Sequence, residues 1–482
     1  MPGSSNTIHR DELDDVAEMT CREVGSKLRT AKPIMKKSKT NKISVVRPLQ
    51  NQMVNTHQSY ADDSFNAERV AHEETLRSRN EKYKAIIMNN PTELSWLRLS
   101  KFSLGSVVFG IISTFPLSLI PAHDLLQYPE FWYELLFHQG WACVWTYCFR
   151  LLECASYLNF PYIQLRNNVM SICLSGVFVG TVLVIAAYHI WTHTFKYIFP
   201  IPWFGFAFTW TNAFIFFIVL WLSIPAELKE KQNLKERMAY FVLQSIVNFI
   251  AIPSLGILIN VIKRCSDEYQ PVVALTFPAI RELIIWISSK LLRKSTNGDL
   301  TGALMVLKYR YSLHYTIILC MIVGTIATDR TSWILMFVDI SINIFWLLRL
   351  IWLKKRRSHM IQQQIDSLQD LALGELVEFH GPLAYIFVIG ITYISPNGEL
   401  FGNIGNSYWG YEAIEDIEQT LMNMLFLFGV DFSTTIICAA LLWIFCRINI
   451  WIAFLELQTE FGTIFCVFLG RLLITVSSDY IF

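Results

Sequence analysis

Residues 421–445, LMNMLFLFGVDFSTTIICAALLWIF, carry one ionisable side chain, Asp431, close to the middle of the run. A hydrocarbon core about 30 Å thick is crossed by roughly 20 helical residues, so a stretch this long and this apolar reads as a membrane-spanning helix. An acid at the centre of a span costs about 2.5 kcal/mol or more on insertion scales. Such groups face a partner or a water-filled path.

The pattern repeats on either side. Runs at 102–122, 170–192, 203–224, 240–262, 312–328, 332–353 and 382–396 are of the same kind, while 131–153, 271–292 and 450–476 have span length but hold several ionisable residues. Composition agrees, because 53% of the 482 residues are hydrophobic and only 16% are charged, against about 25% charged in a soluble domain. The expected fold is all-α: a polytopic integral membrane helical bundle of about 11 transmembrane helices, filling 99–482, in a plasma membrane or endomembrane.

Sidedness follows from the basic residues, which stay on the cytosolic side of short loops. Residues 1–98 contain no apolar run, so the first span is expected to act as the targeting signal and the amino terminus to remain cytosolic. Eleven crossings then place Arg150, Arg166, Lys229, Lys231, Lys235, Arg237, Lys290, Arg293, Lys294, Lys308, Arg310, Lys354 to Arg357 and Arg447 inside. Asp124, Glu130, Glu399, Glu412, Glu415 and Asp416 fall outside, with Lys196, Lys263 and Arg264 as exceptions. Dropping a single one of the spans that hold several ionisable residues reverses every later loop, so that omitting 131–153 or 271–292 leaves Lys354 to Arg357 on the wrong side.

The tail carries eight basic residues between Lys27 and Arg47 and no acidic one, a patch suited to anionic inner-leaflet lipids. Ser38, Thr40 and Ser44 lie inside it. Residues 64–88 are polar and helix-compatible, with Glu73/Arg77 and Arg77/Glu81 at helical spacing. Residues 359–378 show an apolar stripe including Ile361, Ile365, Leu368, Leu371 and Leu376, predicting an amphipathic cytosolic helix before the next span. Residues 397–417 predict an ordered outer loop. A net charge of +1 gives no bulk attraction to nucleic acid. The ten cysteines have no metal-ligand spacing, there is no phosphate-binding GxxxxGK[ST] loop, and no cofactor or metal site is expected.

The candidate chemistry lies in charged groups within spans. Glu134 and His138 share one face of the second span, a spacing that suits a protonatable pair. In TFPAIRELIIWI, Pro278 precedes adjacent Arg281 and Glu282; proline frees a backbone carbonyl, and broken helices at mid-depth build substrate sites in many carriers. Neighbouring residues point about 100° apart on a helix. Arg281 and Glu282 are therefore expected to seek partners on other helices, among them Asp339, Asp431, Glu456, Glu460 and Arg471. Glu456 and Glu460 are themselves one turn apart and are read as a carboxylate pair able to share a proton.

The leading functional reading is a secondary transporter or ion-coupled carrier of a small polar or anionic solute. In it Arg281 contacts the anion, and Asp431 or Glu456/Glu460 carries the proton or cation. A second reading rests on HDLLQYPEFWYELLFH at 123–138, which resembles the acidic first luminal loop of multi-span glycosyltransferases. That resemblance implies a lipid-linked glycosyl or acyl transferase in which Asp124, Glu130, Glu134 and His123 supply a base and metal ligands. A third is a receptor or channel subunit with the tail and the inner helix as regulators.

Overall fold

The computed structural model describes residues 74, 77–88, 96–119, 132–158, 174–183, 186, 204–224, 229, 233–296, 300–325, 329–356, 360–394 and 417–481. The expected lipid patch at 27–47, the loop residues His123, Asp124 and Glu130, and the outer loop 397–416 lie outside them. Glu134 and His138 fall in the first turns of a helix, and their side chains lie outside the described set.

Among the described residues every regular element is a helix. In chain order these are α1 (Trp96–Leu119), α2 (Trp132–Leu158), α3 (Phe204–Ser223), α4 (Leu234–Arg264), α5 (Gln270–Ala274), α6 (Thr276–Ser295), α7 (Leu300–Thr325), α8 (Asp329–Arg356), α9 (Ile361–Ile394), α10 (Ile417–Cys446) and α11 (Ile450–Ile481). Helical segments at 77–87 and Leu174–Leu183 accompany them. Among the described residues five stretches, Gln270–Ser295, Arg330–Arg356, Ile361–Ile391, Glu418–Cys446 and Ile450–Leu473, are long and apolar enough to cross a membrane. Large apolar side chains such as Phe178, Ile218, Leu222, Phe337, Leu348, Ile437 and Ile444 are exposed on the helices. Acyl chains would cover such faces, whereas a soluble monomer leaves few patches of this kind.

At the centre stands α9, which packs against α1, α7, α8, α10 and α11. Its 34 residues form one uninterrupted helix, so the expected cytosolic helix at 359–378 and the span at 382–396 are a single element. The amphipathic stripe holds only in the first turns, where Gln362, Gln363 and Asp366 are exposed; beyond them both faces are inside, since Leu368, Leu371 and Leu376 are buried, and so are Gln369, Glu375, Glu378 and His380. Close approach to α7 is possible because residue 381 is glycine. A Cβ there would lie 2.6 Å from Thr316 Cγ2. At Gly470 a Cβ would come within 2.8 Å of Ser113 Oγ, which explains how α1 and α11 lie flush along their length.

Two further differences from the sequence reading matter. The segment around Pro278 is broken, but at Leu275, between α5 and α6. Pro278 occupies the first turn of α6 and has no N–H to give the carbonyl of Ala274, the last residue of α5. In addition, α7 begins at Leu300, so Lys308 and Arg310 belong to a helix and not to a cytosolic loop. Between α10 and α11 the chain turns back in three residues. Arg447 takes the left-handed conformation (φ 57°), and the Asn449 side chain accepts the Trp451 N–H at 3.0 Å, capping α11.

Candidate functional site

Asp339 on α8, Glu378 on α9 and Asp431 on α10 are all buried, and one carboxylate oxygen from each lies within 4.8 Å of the others. Their level is common. Each stands four to five turns from the helix end beside the basic residues 354–357 or Arg447, roughly 22–26 Å at 1.5 Å per residue. Around the three acids is a polar layer. Asn343, one turn along α8 from Asp339, donates its amide to Glu378 Oε2 at 2.6 Å, and the Thr435 hydroxyl, one turn along α10 from Asp431, donates to Glu375.

Two acceptor or donor groups in this layer are left over. Pro382 lies inside α9 and has no N–H, so the backbone carbonyl of Glu378 lacks its i+4 donor. Tyr315 on α7 is fully buried, lies within electrostatic reach of Asp339 and Glu378, and its hydroxyl has no hydrogen-bond partner among the described residues. Three carboxylates this close in a buried setting need their charge offset, which protons, a hard cation or a neighbouring guanidinium can do.

Arg281 approaches the acids from α6. Its guanidinium lies 4.5 Å from the Tyr315 ring centroid and within electrostatic reach of Asp339. The expectation that Arg281 and Glu282 avoid each other is overturned: Arg281 Nε and Nη2 donate to Glu282 Oε1 at 3.1 and 3.0 Å. A long guanidinium arm can fold back over the 100° between neighbours, and the Glu282 side chain, 61% exposed, is not an interior group.

Glu456 and Glu460 are elsewhere. Both lie near the start of α11, facing the helical segment 77–87, where Lys82 pairs with Glu456 at 2.8 Å and Arg79 pairs with Glu460. The reading of these two carboxylates as an interior pair sharing a proton is therefore corrected, since each is matched by its own cation. The same segment is held from α8, because Lys354 donates to the Ile87 carbonyl. Tyr83 is buried in this clasp, and burial together with the Glu456 carboxylate raises its phenol above the ordinary tyrosine value.

Arg471 is not a partner of Arg281 either. It belongs to a second buried group, in which Glu153 on α2 accepts from Arg150 Nη1 at 2.6 Å and from Arg310 Nη1 at 2.5 Å. Arg471 donates to Thr146 Oγ1 at 3.4 Å, and the guanidinia of Arg310 and Arg471 each lie 5.3 Å from the Phe149 ring. Sequence reasoning thus found Asp339, Asp431 and Arg281 but missed Glu375 and Glu378, which it had assigned to a cytosolic face. It also noted Arg150 and Glu153 as charges within the second span but did not join them to Arg310, although their i,i+3 spacing signalled the first pair.

No protein-family model, curated protein or solved structure matches the chain.

Proposed function

We propose that the chain is a multi-span membrane carrier that couples movement of a small polar or anionic solute to a proton or hard cation held at Asp339, Glu378 and Asp431. One observation supports it above all: three carboxylates from three apolar helices converge at one level, near a carbonyl released by Pro382 and a phenol without a partner among the described residues. Structural ion pairing alone favours alternating charges, and this ring is acidic. Loading and unloading of positive charge would change the repulsion among α8, α9 and α10. Such differential stabilisation of two packings is what coupling requires. Arg281, beside Asp339 and Tyr315, is placed to meet an anionic group of the solute.

The topology that goes with this reading has eleven crossings and a cytosolic amino terminus. Its support is a set of cation–ring pairs: Lys229 with Trp221, Lys290 with Trp286, Lys294 with Tyr240, Arg349 with Trp346, Arg356 with Trp352, and Arg447 with Trp443. All six cations lie in or next to the loops that the basic-residue bias assigns to the cytosol. Aromatic and basic side chains together mark a headgroup interface. The basic run at 27–47 would reinforce contact with anionic lipids of the same leaflet.

The test is flux in proteoliposomes. Purified protein should drive uptake of at least one small polar or anionic solute under an imposed proton or sodium gradient, and Glu378→Gln or Asp431→Asn should abolish the dependence on that gradient. Absence of flux under any gradient, or unchanged coupling in both variants, would remove the proposal.

A further inference from the structure

The region where α2 meets α4 holds buried polar groups that the carrier reading does not use. Arg150 is 1% exposed, and its Nη1 is occupied by Glu153 Oε2 and, at 3.4 Å, by Ser245 Oγ of α4. Its Nε and Nη2 have no partner among the described residues. Those two N–H groups form the side-on edge of a guanidinium, the edge that grips a carboxylate at two points. Glu153 does not fill it, because one of its oxygens takes Arg150 Nη1 and the other takes Arg310.

Opposite stands one face of α4. Gln244, Ser245 and Asn248 are all buried to within 1% of complete, and neither the nitrogen nor the oxygen of the Gln244 and Asn248 amides has a partner among the described residues. Helices α2 and α4 run antiparallel, as Arg150 meets Ser245 and lies 5.2 Å from the Phe249 ring while Tyr157 meets Phe241 at 5.9 Å. That register puts Asn248 level with Arg150 and Gln244 level with Glu153. The Tyr157 hydroxyl, nearer the end of α2 in the same interface, is buried and has no partner among the described residues as well.

We infer that this interface binds one small oxyanion, a carboxylate in the first instance, gripped by the side-on edge of Arg150 with the amides of Gln244 and Asn248 beside it. The donors decide the class. Two guanidinium N–H groups, two amide NH2 groups and a phenol offer hydrogens against two amide oxygens, so donors outnumber acceptors and favour an accepting ligand. Arg150 and Arg310 share a single carboxylate, with Arg471 adding a third guanidinium nearby, so the ligand is negative. A cation would meet repulsion here, and a neutral solute would leave the buried charge without an offset. The two-point edge favours a planar oxyanion over a halide. The inference stands apart from the carrier reading, because binding is measured without flux.

The experiment is thermal denaturation of the purified full-length protein in detergent, titrated with sodium formate, with sodium chloride and sodium gluconate as controls at equal ionic strength. Formate should raise the midpoint saturably by several degrees, and gluconate, too bulky to enter, should not. Asn248→Leu and Gln244→Met remove unpartnered buried amides, so each variant should match or exceed the wild-type midpoint without formate. Each should need at least tenfold more formate for half the shift. Arg150→Lys keeps the charge but loses the edge, and its formate shift should vanish. If Arg150→Lys does not fold, Asn248→Leu still decides. No formate-dependent shift, a chloride shift as large as that of formate, or the same half-saturation in Asn248→Leu and Gln244→Met would each overturn the inference.

Discussion

Glu153→Gln isolates the energetics of buried charge in this bundle. The carboxylate is completely buried and holds two guanidinia at 2.6 and 2.5 Å, themselves 1% and 2% exposed. Gln keeps the shape and one acceptor oxygen but removes the charge, leaving Arg150 and Arg310 facing each other with no anion between them. Breaking a buried pair by removing one partner costs about 3–5 kcal/mol, chiefly the desolvation of the charge left behind. At about 2 °C per kcal/mol for a large folded unit, the midpoint of thermal denaturation in detergent should fall by roughly 6–10 °C. The cause also fixes the double variant. With Arg310→Gln added, one uncompensated cation is gone, and the pair of substitutions should cost less than the sum of the two singles. The loss should be insensitive to moderate salt, since mobile ions do not reach groups this deep. A midpoint change under 2 °C for Glu153→Gln, or strict additivity with Arg310→Gln, would refute the assignment of this carboxylate as a shared counter-ion.

Gly381→Ala should destabilise the α7–α9 contact by about 1–3 kcal/mol, because the new Cβ meets Thr316 Cγ2 at 2.6 Å; adding Thr316→Ser, which deletes that methyl, should recover most of the lost thermal midpoint. In a variant retaining Cys265 as its sole cysteine, a membrane-impermeant maleimide should label intact cells from outside, and an epitope tag before residue 1 should be reached by antibody after permeabilisation alone. Labelling of Cys265 from the cytosolic face would cancel the eleven-span arrangement.

Much of the helix pattern was legible because apolar length is a strong signal and nothing else in a sequence imitates it. The runs around 332–353, 421–445 and 450–476 correspond to α8, α10 and α11, and the acids inside the first two, Asp339 and Asp431, were visible as charges in costly places. Arg281 was legible for the same reason. What defeated the reading was the opposite case, a buried helix that does not look apolar. From Ile361 to Glu378 the chain alternates leucines with Gln, Asp and Glu, and an amphipathic pattern beside Lys354 to Arg357 reads as a helix half in water. In the bundle much of the polar side of α9 faces other helices: Asn343 meets Glu378, Thr435 meets Glu375, and Lys308 meets Asp370.

That inversion explains why the acidic centre was seen with two of its three members. A hydrophobic-moment argument assumes that the polar face looks at water, and the assumption fails wherever polar faces look at one another. The third carboxylate belongs to the helix that the argument sent to the surface. The local sequence does contain a distinguishing mark in HGPLAY, residues 380–385. A proline with a glycine before it, immediately after Glu378, is poor chemistry for the solvent-exposed end of a short surface helix, since it removes one backbone hydrogen bond and weakens propensity there. It suits a long helix packed among other helices, in which Gly381 admits Thr316 and Pro382 leaves the Glu378 carbonyl without its helical donor. A proline four residues after an acid, inside a run bounded by longer apolar stretches, is thus the feature that separates a central polar helix from an interfacial one. Pro278 has the same effect between α5 and α6, since it has no N–H to give the carbonyl of Ala274 and the helix breaks at Leu275.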